Sequence, residues 1–258
     1  MQAYIKEILP IKVEWTDSMC LAVFFSGSNF NSGWLPDKNI NTINNEEFAK
    51  DIKDIKKEIE ILSTQSNTLI LTGGEPCLQR QVLFVIIQTF KEKGMKIGLE
   101  TNGTKPRILQ QLLEENLLDF LVIHLNSSFN PELFEKITRS KSFFITSEII
   151  IAEVKLTLQL LKDLNVTIPL EIQTTIIPSL LYRKEDLEQI AEIIKDIPCI
   201  WKLKKFDNSV VLVDKKFQNI NPPSDQFLED ITEHCLRLYP QMRIEIMQEV
   251  QQPTNEIN

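Results

Sequence analysis

Apolar runs alternate with longer amphipathic stretches along most of the chain. Short apolar runs such as CLAVFF (20–25) predict strands that are buried on both faces of a sheet. Stretches with an apolar residue at every third or fourth position predict helices, because those positions share one helical face. In residues 46–62 the apolar positions with this spacing are Phe48, Ile52, Ile55, Ile59 and Leu62. The pattern therefore predicts strands and helices in regular succession.

The same succession continues almost to the end of the chain. Predicted strands cover residues 20–25, 67–74, 96–104 with a polar loop, 119–126, 167–177, 199–206 and 243–247. Predicted helices cover residues 46–62, 79–94, 105–117, 130–137, 145–165, 184–197 and 222–240. This order is typical of a parallel α/β sheet with helices on its faces, although the pattern alone does not separate a barrel from an open sheet. We expect one domain, residues 1–250, and a polar tail, residues 251–258.

Composition and charge narrow the classes of protein. The net charge of −8 argues against nucleic acid as a partner, because phosphate binding needs a basic face. The opening MQAYIKEILP lacks the apolar segment of a signal peptide, and no apolar run approaches the roughly 18 residues of a membrane span. The four cysteines form no C-x-x-C pair, which indicates reduced thiols and no zinc ribbon. We therefore expect a cytoplasmic protein without a membrane partner.

Polar loops follow most of the predicted strands. In parallel α/β folds, functional loops gather at the carboxyl ends of the strands. The loops predicted at that end contain SGSNFNS, TGGEPC, ETNGT, HLNSS, QTTIIPS and KKFDNS. This edge of the sheet is therefore where a site is expected.

Two of these loops carry a resemblance to a known family. TGGEPCLQ (72–79) after one strand and ETNGT (100–104) after the next are similar to motifs of radical S-adenosylmethionine enzymes. The closer similarity is to the branch that activates anaerobic ribonucleotide reductase, next to the glycyl-radical activating enzymes. Further similar segments are LPIKVEWTDSMCLAVFFSGSNF, LLDFLVIHLNSSFNPELFEKIT, LEIQTTIIPSLLYRKEDLEQIAEII and IWKLKKF. The resemblance covers most of the chain and implies a partial parallel barrel of about six β/α units.

The resemblance also implies a metal-binding loop, and this chain departs from it. In the family, the loop after the first strand holds a C-x-x-x-C-x-x-C triplet whose thiolates bind three irons of a 4Fe-4S cluster, while S-adenosylmethionine chelates the fourth. The three cysteine positions correspond here to Ser28, Ser32 and Leu35. A serine hydroxyl is a poor iron ligand because it does not ionise readily, and leucine has no donor atom. We therefore expect no cluster and no bound metal.

The other cysteines do not replace the missing triplet. Cys20 lies at the far end of a predicted strand, Cys199 opens another, and Cys235 lies within the last predicted helix. Cys77 follows GGEP near the expected site, but it supplies one ligand only. We expect all four to be small buried apolar residues.

The resemblance further implies positions around S-adenosylmethionine. Those that match or replace the family's motifs are Gly73, Gly74, Glu75, Pro76, Glu100, Asn102, His124 and Asn126. The family's Asp-x-Lys corresponds to His124-Leu125-Asn126, its arginine to Gln173, and its late glutamine to Lys204. Loss of the two cations implies weaker binding of the methionine carboxylate. The GGEP residues also have a purely structural explanation, a tight turn from strand to helix.

Three functions remain open on the sequence. The first is a pseudoenzyme that acts as a binding or regulatory partner of a glycyl-radical enzyme or its activase. The second is a non-radical enzyme that uses His124, Glu75, Glu100 or Cys77 for acid–base or nucleophilic chemistry in an enclosed polar pocket. The third is a sensor that retains S-adenosylmethionine or a nucleotide without cleaving it. The first requires no cofactor, whereas the third requires residual S-adenosylmethionine binding.

Overall fold

One sheet of nine strands organises the protein. The computed structural model describes residues 1–13, 19–35, 39–164 and 166–247. Along the sheet the described strands follow the order β3-β1-β2-β4-β5-β6-β7-β8-β9. They are β1 Gln2–Lys12, β2 Met19–Phe25, β3 Ala49–Asp51, β4 Thr68–Gly73, β5 Lys96–Thr101, β6 Phe120–His124, β7 Leu170–Ile176, β8 Ile200–Lys205 and β9 Arg243–Ile246.

Seven of these strands form a parallel series that does not close on itself. Strand β2 and strands β4 to β9 pair in parallel with their neighbours, whereas β1 and β3 are antiparallel additions next to β2. The edge strands β3 and β9 do not pair with each other among the described residues. The predicted α/β fold with a partial barrel in one domain is therefore confirmed.

Helices cover one face of the sheet and bury its largest apolar surface. The described α-helices are α1 Ile52–Leu62, α2 Arg80–Glu92, α3 Pro106–Glu114, α4 Pro131–Thr138, α5 Ser147–Asp163, α6 Lys184–Ile194 and α7 Asp225–Leu238. Alternate strand residues such as Leu71, Leu99 and Trp201 share one core cluster with the helices. Because successive side chains of a strand point to opposite faces, the residues between them line the other, concave face.

The concave face changes character across the sheet. At the β2 and β4 side it holds a small apolar cluster of Cys20, Ala22 and Ile70. Further along, Glu100 of β5 and His124 of β6 lie on this face, which β6 shares through the apolar Phe120 and Val122. On β7 and β8, Lys202 Nζ lies 2.9 Å from Glu171 Oε1 with both side chains buried. The β5 to β8 side of the partial barrel therefore carries both polar and apolar residues.

Two parts of the sequence-based prediction were wrong. Strand β1 was not predicted, because Pro10 interrupts it and its buried residues do not follow a strict alternation. The helix expected from residue 46 begins at Ile52, since residues 49–51 pair with β1 and the Asp51 carboxylate caps the helix by accepting from Lys53 N–H.

The remaining boundaries agree to within three residues, and α3 and α6 end at Glu114 and Ile194, three residues earlier than predicted. Strand β7 begins at Leu170, and α7 begins at Asp225 after the Ser224 cap, three residues later in each case than predicted. The predicted tail, residues 251–258, lies outside the described residues. Among the described helices, none has the length and apolar character needed to cross a membrane.

Candidate functional site

The loop after β2, residues 26–35, contains the three positions that the resemblance assigns to cysteines, Ser28, Ser32 and Leu35. Ser28 Oγ accepts a hydrogen bond from the backbone N–H of Phe30 at 3.0 Å, which turns the loop locally. Asn29, one residue on, donates from Nδ2 to Thr104 Oγ1 at 2.9 Å and accepts from Asn102 Nδ2 at 2.9 Å. This loop is therefore joined to the ETNGT loop by amide and hydroxyl side chains.

The residues at the three cysteine positions do not fit an iron–sulfur cluster. Ser32 is buried, and Leu35 packs half-buried against the main core. Between them the Trp34 indole N–H donates to the Ile137 carbonyl at 3.0 Å. The three positions thus offer two neutral hydroxyls and one hydrocarbon side chain where the cluster needs thiolates. Within the described ranges, no group of three or more His, Cys, Asp or Glu could hold a metal ion.

The turn at residues 73–76 is built around the buried carboxylate of Glu75. Its Oε1 accepts from Cys77 N–H at 3.0 Å and from the Thr101 hydroxyl at 2.8 Å. Its Oε2 accepts from Asn102 N–H at 2.7 Å. Glu75 therefore links the GGEP turn to the ETNGT loop, and both of its carboxylate oxygens already accept hydrogen bonds.

Burial determines the protonation chemistry of this turn. Desolvation raises the pKa of Glu75, although the three hydrogen-bond donors oppose that shift. Desolvation, with the nearby Glu75 carboxylate, raises the pKa of Cys77 well above its usual value. A thiol with so high a pKa is a poor nucleophile at neutral pH. Cys77 is therefore not prepared for a nucleophilic role, and Glu75 has no free oxygen for acid–base chemistry because both of its oxygens are buried and hydrogen-bonded.

The backbone also holds the GGEP turn against the first loop. Gly74 N–H donates to the Phe25 carbonyl at 2.8 Å, and Glu75 N–H donates to the Gly27 carbonyl at 2.8 Å. Pro76 is buried and begins a short 3-10 helix that leads into α2. The four residues of this turn act together as a junction between β4, α2 and the loop after β2.

Glu100 and His124 form a second group, on the concave face. Glu100 Oε2 lies 3.5 Å from His124 Nε2 and accepts from the Thr72 hydroxyl at 2.7 Å. Burial acts to raise the pKa of Glu100. Its interactions with His124, and more weakly with Lys204, act in the opposite direction, and the net effect is a lowered pKa. The side chains of Glu100 and His124 remain 24% and 36% exposed, so a solute can reach them. Both residues are among those that the sequence predicted to lie at the site.

The predicted site residues thus divide into separate groups. Glu75 and Asn102 meet directly in the buried network, whereas Glu100 and His124 meet on the concave face. Asn126 belongs to neither, because its Oδ1 accepts from Thr175 N–H at 2.7 Å. The sequence made Glu75 and His124 candidates for acid–base chemistry in one pocket, but the hydrogen bonds of the Glu75 carboxylate with the described residues lie in the buried network.

Some residues of the buried network were not identified from the sequence. Asn29, Thr101 and Thr104 contact the site residues that the sequence predicted. Asn29 and Thr104 bind each other although they are 75 positions apart in the chain. A signal existed in the threonines that flank Asn102 in ETNGT, since Thr104 hydroxyl and N–H both bind Asn102 Oδ1. For Asn29 nothing in the local sequence indicates the distant partner.

The four cysteines are dispersed, as expected. Cys20, Cys77 and Cys235 are buried, but Cys199 is only half-buried, so the expectation of four buried thiols was wrong at that position. Desolvation raises the pKa of Cys199 to about 12 and that of Cys20 to about 11. For Cys235, desolvation with the Glu188 carboxylate raises the pKa to about 11. Neutral thiols of this kind do not ligate iron readily.

Comparison with known proteins agrees with this architecture. A candidate glycyl-radical enzyme activating enzyme of Methanocaldococcus jannaschii is 23% identical over 232 residues, which cover 90% of this chain and 91% of that protein. A 7-carboxy-7-deazaguanine synthase of Hyperthermus butylicus is 38% identical over 47 residues, or 18% of this chain and 20% of its own length.

Solved structures show the same fold at low sequence identity. A domain of the pyruvate-formate lyase-activating enzyme of Bacteroides vulgatus has a TM-score of 0.51 and 15% identity, and the match covers 69% of this chain and 98% of that domain. A radical SAM methyltransferase of Sphaerobacter thermophilus has a TM-score of 0.63 and 10% identity, over 95% and 77% of the two chains. The sequence profile of the Radical SAM superfamily matches residues 32–197, more than half of the chain. The chain therefore belongs to the radical SAM superfamily, and it is related to the activating enzymes of that superfamily.

Proposed function

We propose that this protein is a pseudoenzyme of the radical SAM superfamily that acts by binding a partner instead of by radical chemistry. The observation that carries this proposal is the identity of residues 28, 32 and 35. Members of the family use S-adenosylmethionine with a 4Fe-4S cluster, and the cluster needs three thiolates at these positions. This chain has Ser28, Ser32 and Leu35 there, and none of these side chains contains a thiolate.

The state of the loop supports the same conclusion. A loop that has lost a metal usually leaves polar groups without partners, and each such buried group costs stability. Here two side chains between these positions bind protein groups, Asn29 to Asn102 and Thr104, and Trp34 to a carbonyl. The loop is held by the protein's own contacts, so a metal is not needed to order it.

The retained GGEP and ETNGT sequences fit a structural role in this proposal. Both motifs supply the hydrogen bonds of the buried Glu75 network. A chain without the cluster would still need that network to hold the edge of the sheet where the two loops meet. The motifs therefore do not require that S-adenosylmethionine is still processed.

A relative that matches 90% of the chain supports a proposal for the class of partner. That relative is named for the activation of a glycyl-radical enzyme. A protein with the same fold and no cluster could occupy the surface that such an enzyme presents to its activase, or bind the activase itself. We therefore propose a glycyl-radical enzyme or its activase as the partner, and regulation as the outcome of binding.

Anaerobic reconstitution with iron and sulfide tests the central claim. We expect fewer than about 0.5 iron atoms per chain after desalting and no absorption band near 410 nm, because the site lacks thiolates. The matched variant Ser28→Cys/Ser32→Cys/Leu35→Cys restores the triplet and is expected to gain iron and the band. A related activating enzyme, reconstituted in parallel, confirms that the procedure loads clusters. About four irons per wild-type chain, with the cubane spectrum, would refute the proposal.

The half-buried but accessible Glu100–His124 pair favours a second candidate, a sensor of a small polar molecule. In this alternative the residues around the ligand would be Gly73, Gly74, Glu75, Pro76, Glu100, Asn102, His124 and Asn126. The pair is accessible and lies on the concave face of the partial barrel. The polar residues of that face, including Gln173 and Lys204, are what a ligand with several hydrogen-bonding groups would need.

Thermal unfolding with S-adenosylmethionine separates the two candidates. We expect the melting temperature to rise by less than about 1 °C at 1 mM ligand, which corresponds to a Kd of about 1 mM or weaker. S-Adenosylhomocysteine and ATP serve as parallel ligands. A saturable heat of binding in calorimetry for any of them, lost in His124→Ala at unchanged stability, would favour the sensor over the pseudoenzyme without a ligand.

A further inference from the structure

Helix α5 presents an apolar stripe to solvent in addition to the face that it buries. Its inner residues, Ile151, Val154 and Leu158 among them, are buried, and the helix packs on α3 and α4. On the outer side Ile149 is 50% exposed and Leu156 is 57% exposed, with exposed Ala152 between them. These three residues follow a spacing of three and four, so they share one face of the helix. A helix that is apolar on an outer face indicates a partner for that face.

Exposed aromatic side chains extend this surface at the start of the helix. Phe143 is 93% exposed and Phe144 is 85% exposed, in the loop that leads directly into α5. Their rings contact each other edge to face, with centroids 4.8 Å apart. Two adjacent, almost fully exposed phenylalanines are unusual on a monomer and are typical of interaction surfaces. We call the stripe and these two rings the α5 surface.

We propose that the α5 surface is the interface of a homodimer in which α5 packs antiparallel against α5 of a second copy. The charges beside the stripe argue for a second copy over an unrelated partner. Glu148 and Lys155 are exposed and seven residues apart, so they lie on the same flank of the helix. They carry opposite charge and stand at nearly equal distances from Ala152, on either side of it.

A twofold axis near Ala152 makes this arrangement self-complementary. In an antiparallel pair with such an axis, the same flanks of the two helices meet, and each residue lies opposite the one equally far beyond the axis. Glu148 of one copy then faces Lys155 of the other, and Ile149 faces Leu156, and both contacts occur twice. Ala152 at the crossing point lets the two backbones approach closely. In a parallel pair opposite flanks would meet, so the flank that carries Glu148 and Lys155 would not pair with itself.

The environment of the two charges is compatible with this contact. The Lys155 ammonium lies over the ring of Phe129, 5.1 Å from its centroid, which holds it on the flank while it stays exposed. At the helix start the hydrogen bond with Thr146 lowers the pKa of the Glu148 carboxyl, and Lys141 adds a weaker effect. Glu148 is therefore negatively charged at neutral pH and available to a cation of the second copy.

Charge reversal with sedimentation measurements tests both the surface and its geometry. We expect wild-type protein to dimerise reversibly between about 1 and about 200 µM, a range suited to a modest interface. Glu148→Lys and Lys155→Glu are each expected to weaken the dimer at least about tenfold, because two attractive contacts become repulsive. Leu156→Glu is expected to abolish it. Glu233→Lys on α7 and Lys57→Glu on α1, reversals of exposed charges elsewhere, are the matched controls and should leave dimerisation unchanged.

A mixture of the two reversal variants gives the decisive result. Glu148→Lys mixed with Lys155→Glu places opposite charges at both contacts of the heterodimer, so we expect the mixture to dimerise about as well as the wild type. The double variant Glu148→Lys/Lys155→Glu should also recover. A monomer at all concentrations, or a dimer that none of these substitutions affects, would overturn the proposal, and so would a failure of the mixture to associate. The inference does not rest on the absence of a cluster, so either can fail without the other.

Discussion

Glu75→Ala is expected to lower the free energy of unfolding by about 3–5 kcal/mol, enough to reduce the melting temperature by about 10 °C. The carboxylate is buried and accepts three hydrogen bonds, from Cys77 N–H, the Thr101 hydroxyl and Asn102 N–H. Removing it leaves these donors without an acceptor and opens a cavity beneath two loops. Chemical denaturation followed by fluorescence or circular dichroism measures the loss.

Two further variants show whether the loss comes from the hydrogen bonds. Glu75→Gln keeps the shape of the side chain but turns one oxygen into an NH₂ group, which would meet a donor in the network. It is expected to cost about 1–3 kcal/mol, less than the alanine variant. Glu233→Ala, at an exposed position of α7, should change stability by less than about 0.5 kcal/mol. A Glu75→Ala protein as stable as the wild type would show that the GGEP glutamate is kept for a ligand and not for the fold.

The alternation of strands and helices could be predicted because each parallel strand is a compact apolar run. The segments CLAVFF and FLVIH can be identified as strands from their own residues alone, and both are strands in the structure. The two antiparallel strands at the edge of the sheet, β1 and β3, could not be predicted in this way. Residues 49–51 form a strand only through pairing with β1, and three residues carry no period of their own. Local pattern predicted a helix there, and tertiary pairing overrode it.

The candidate site divides in the same way between local and long-range information. The motifs located Glu75, Glu100 and His124 near strand ends, since Glu75 follows one predicted strand and the other two residues lie in the later part of two others. They did not indicate which residues would meet. The contact of Glu75 with Asn102 spans 27 positions and that of Asn29 with Asn102 spans 73, so both depend on how the sheet brings its loops together. The absence of thiolates, by contrast, is a property of residue type and was available from the sequence at once.

Gly74→Ala is expected to destabilise the protein by about 3 kcal/mol or more, a fall in melting temperature of about 6–12 °C. A Cβ at this position would lie 2.3 Å from the Gly27 carbonyl oxygen and 2.8 Å from its carbon. Both are backbone atoms, and they are held in place by the hydrogen bond from Glu75 N–H to the same carbonyl. The turn therefore cannot admit a methyl group without moving the loop that follows β2. Thermal unfolding by calorimetry measures the effect.

Gly94→Ala is the matched control for the cost of replacing a glycine. Gly94 has a positive φ, 79°, which Gly74 does not have, but a Cβ at Gly94 meets no atom within 4 Å. Its replacement should cost only about 1 kcal/mol, from backbone strain alone. A Gly74→Ala protein no less stable than Gly94→Ala would mean that the two loops are not in contact as described. A larger loss of stability in Gly74→Ala than in Gly94→Ala would mean that Gly74 is required because two backbone segments approach closely. That requirement does not depend on whether S-adenosylmethionine binds beside the turn.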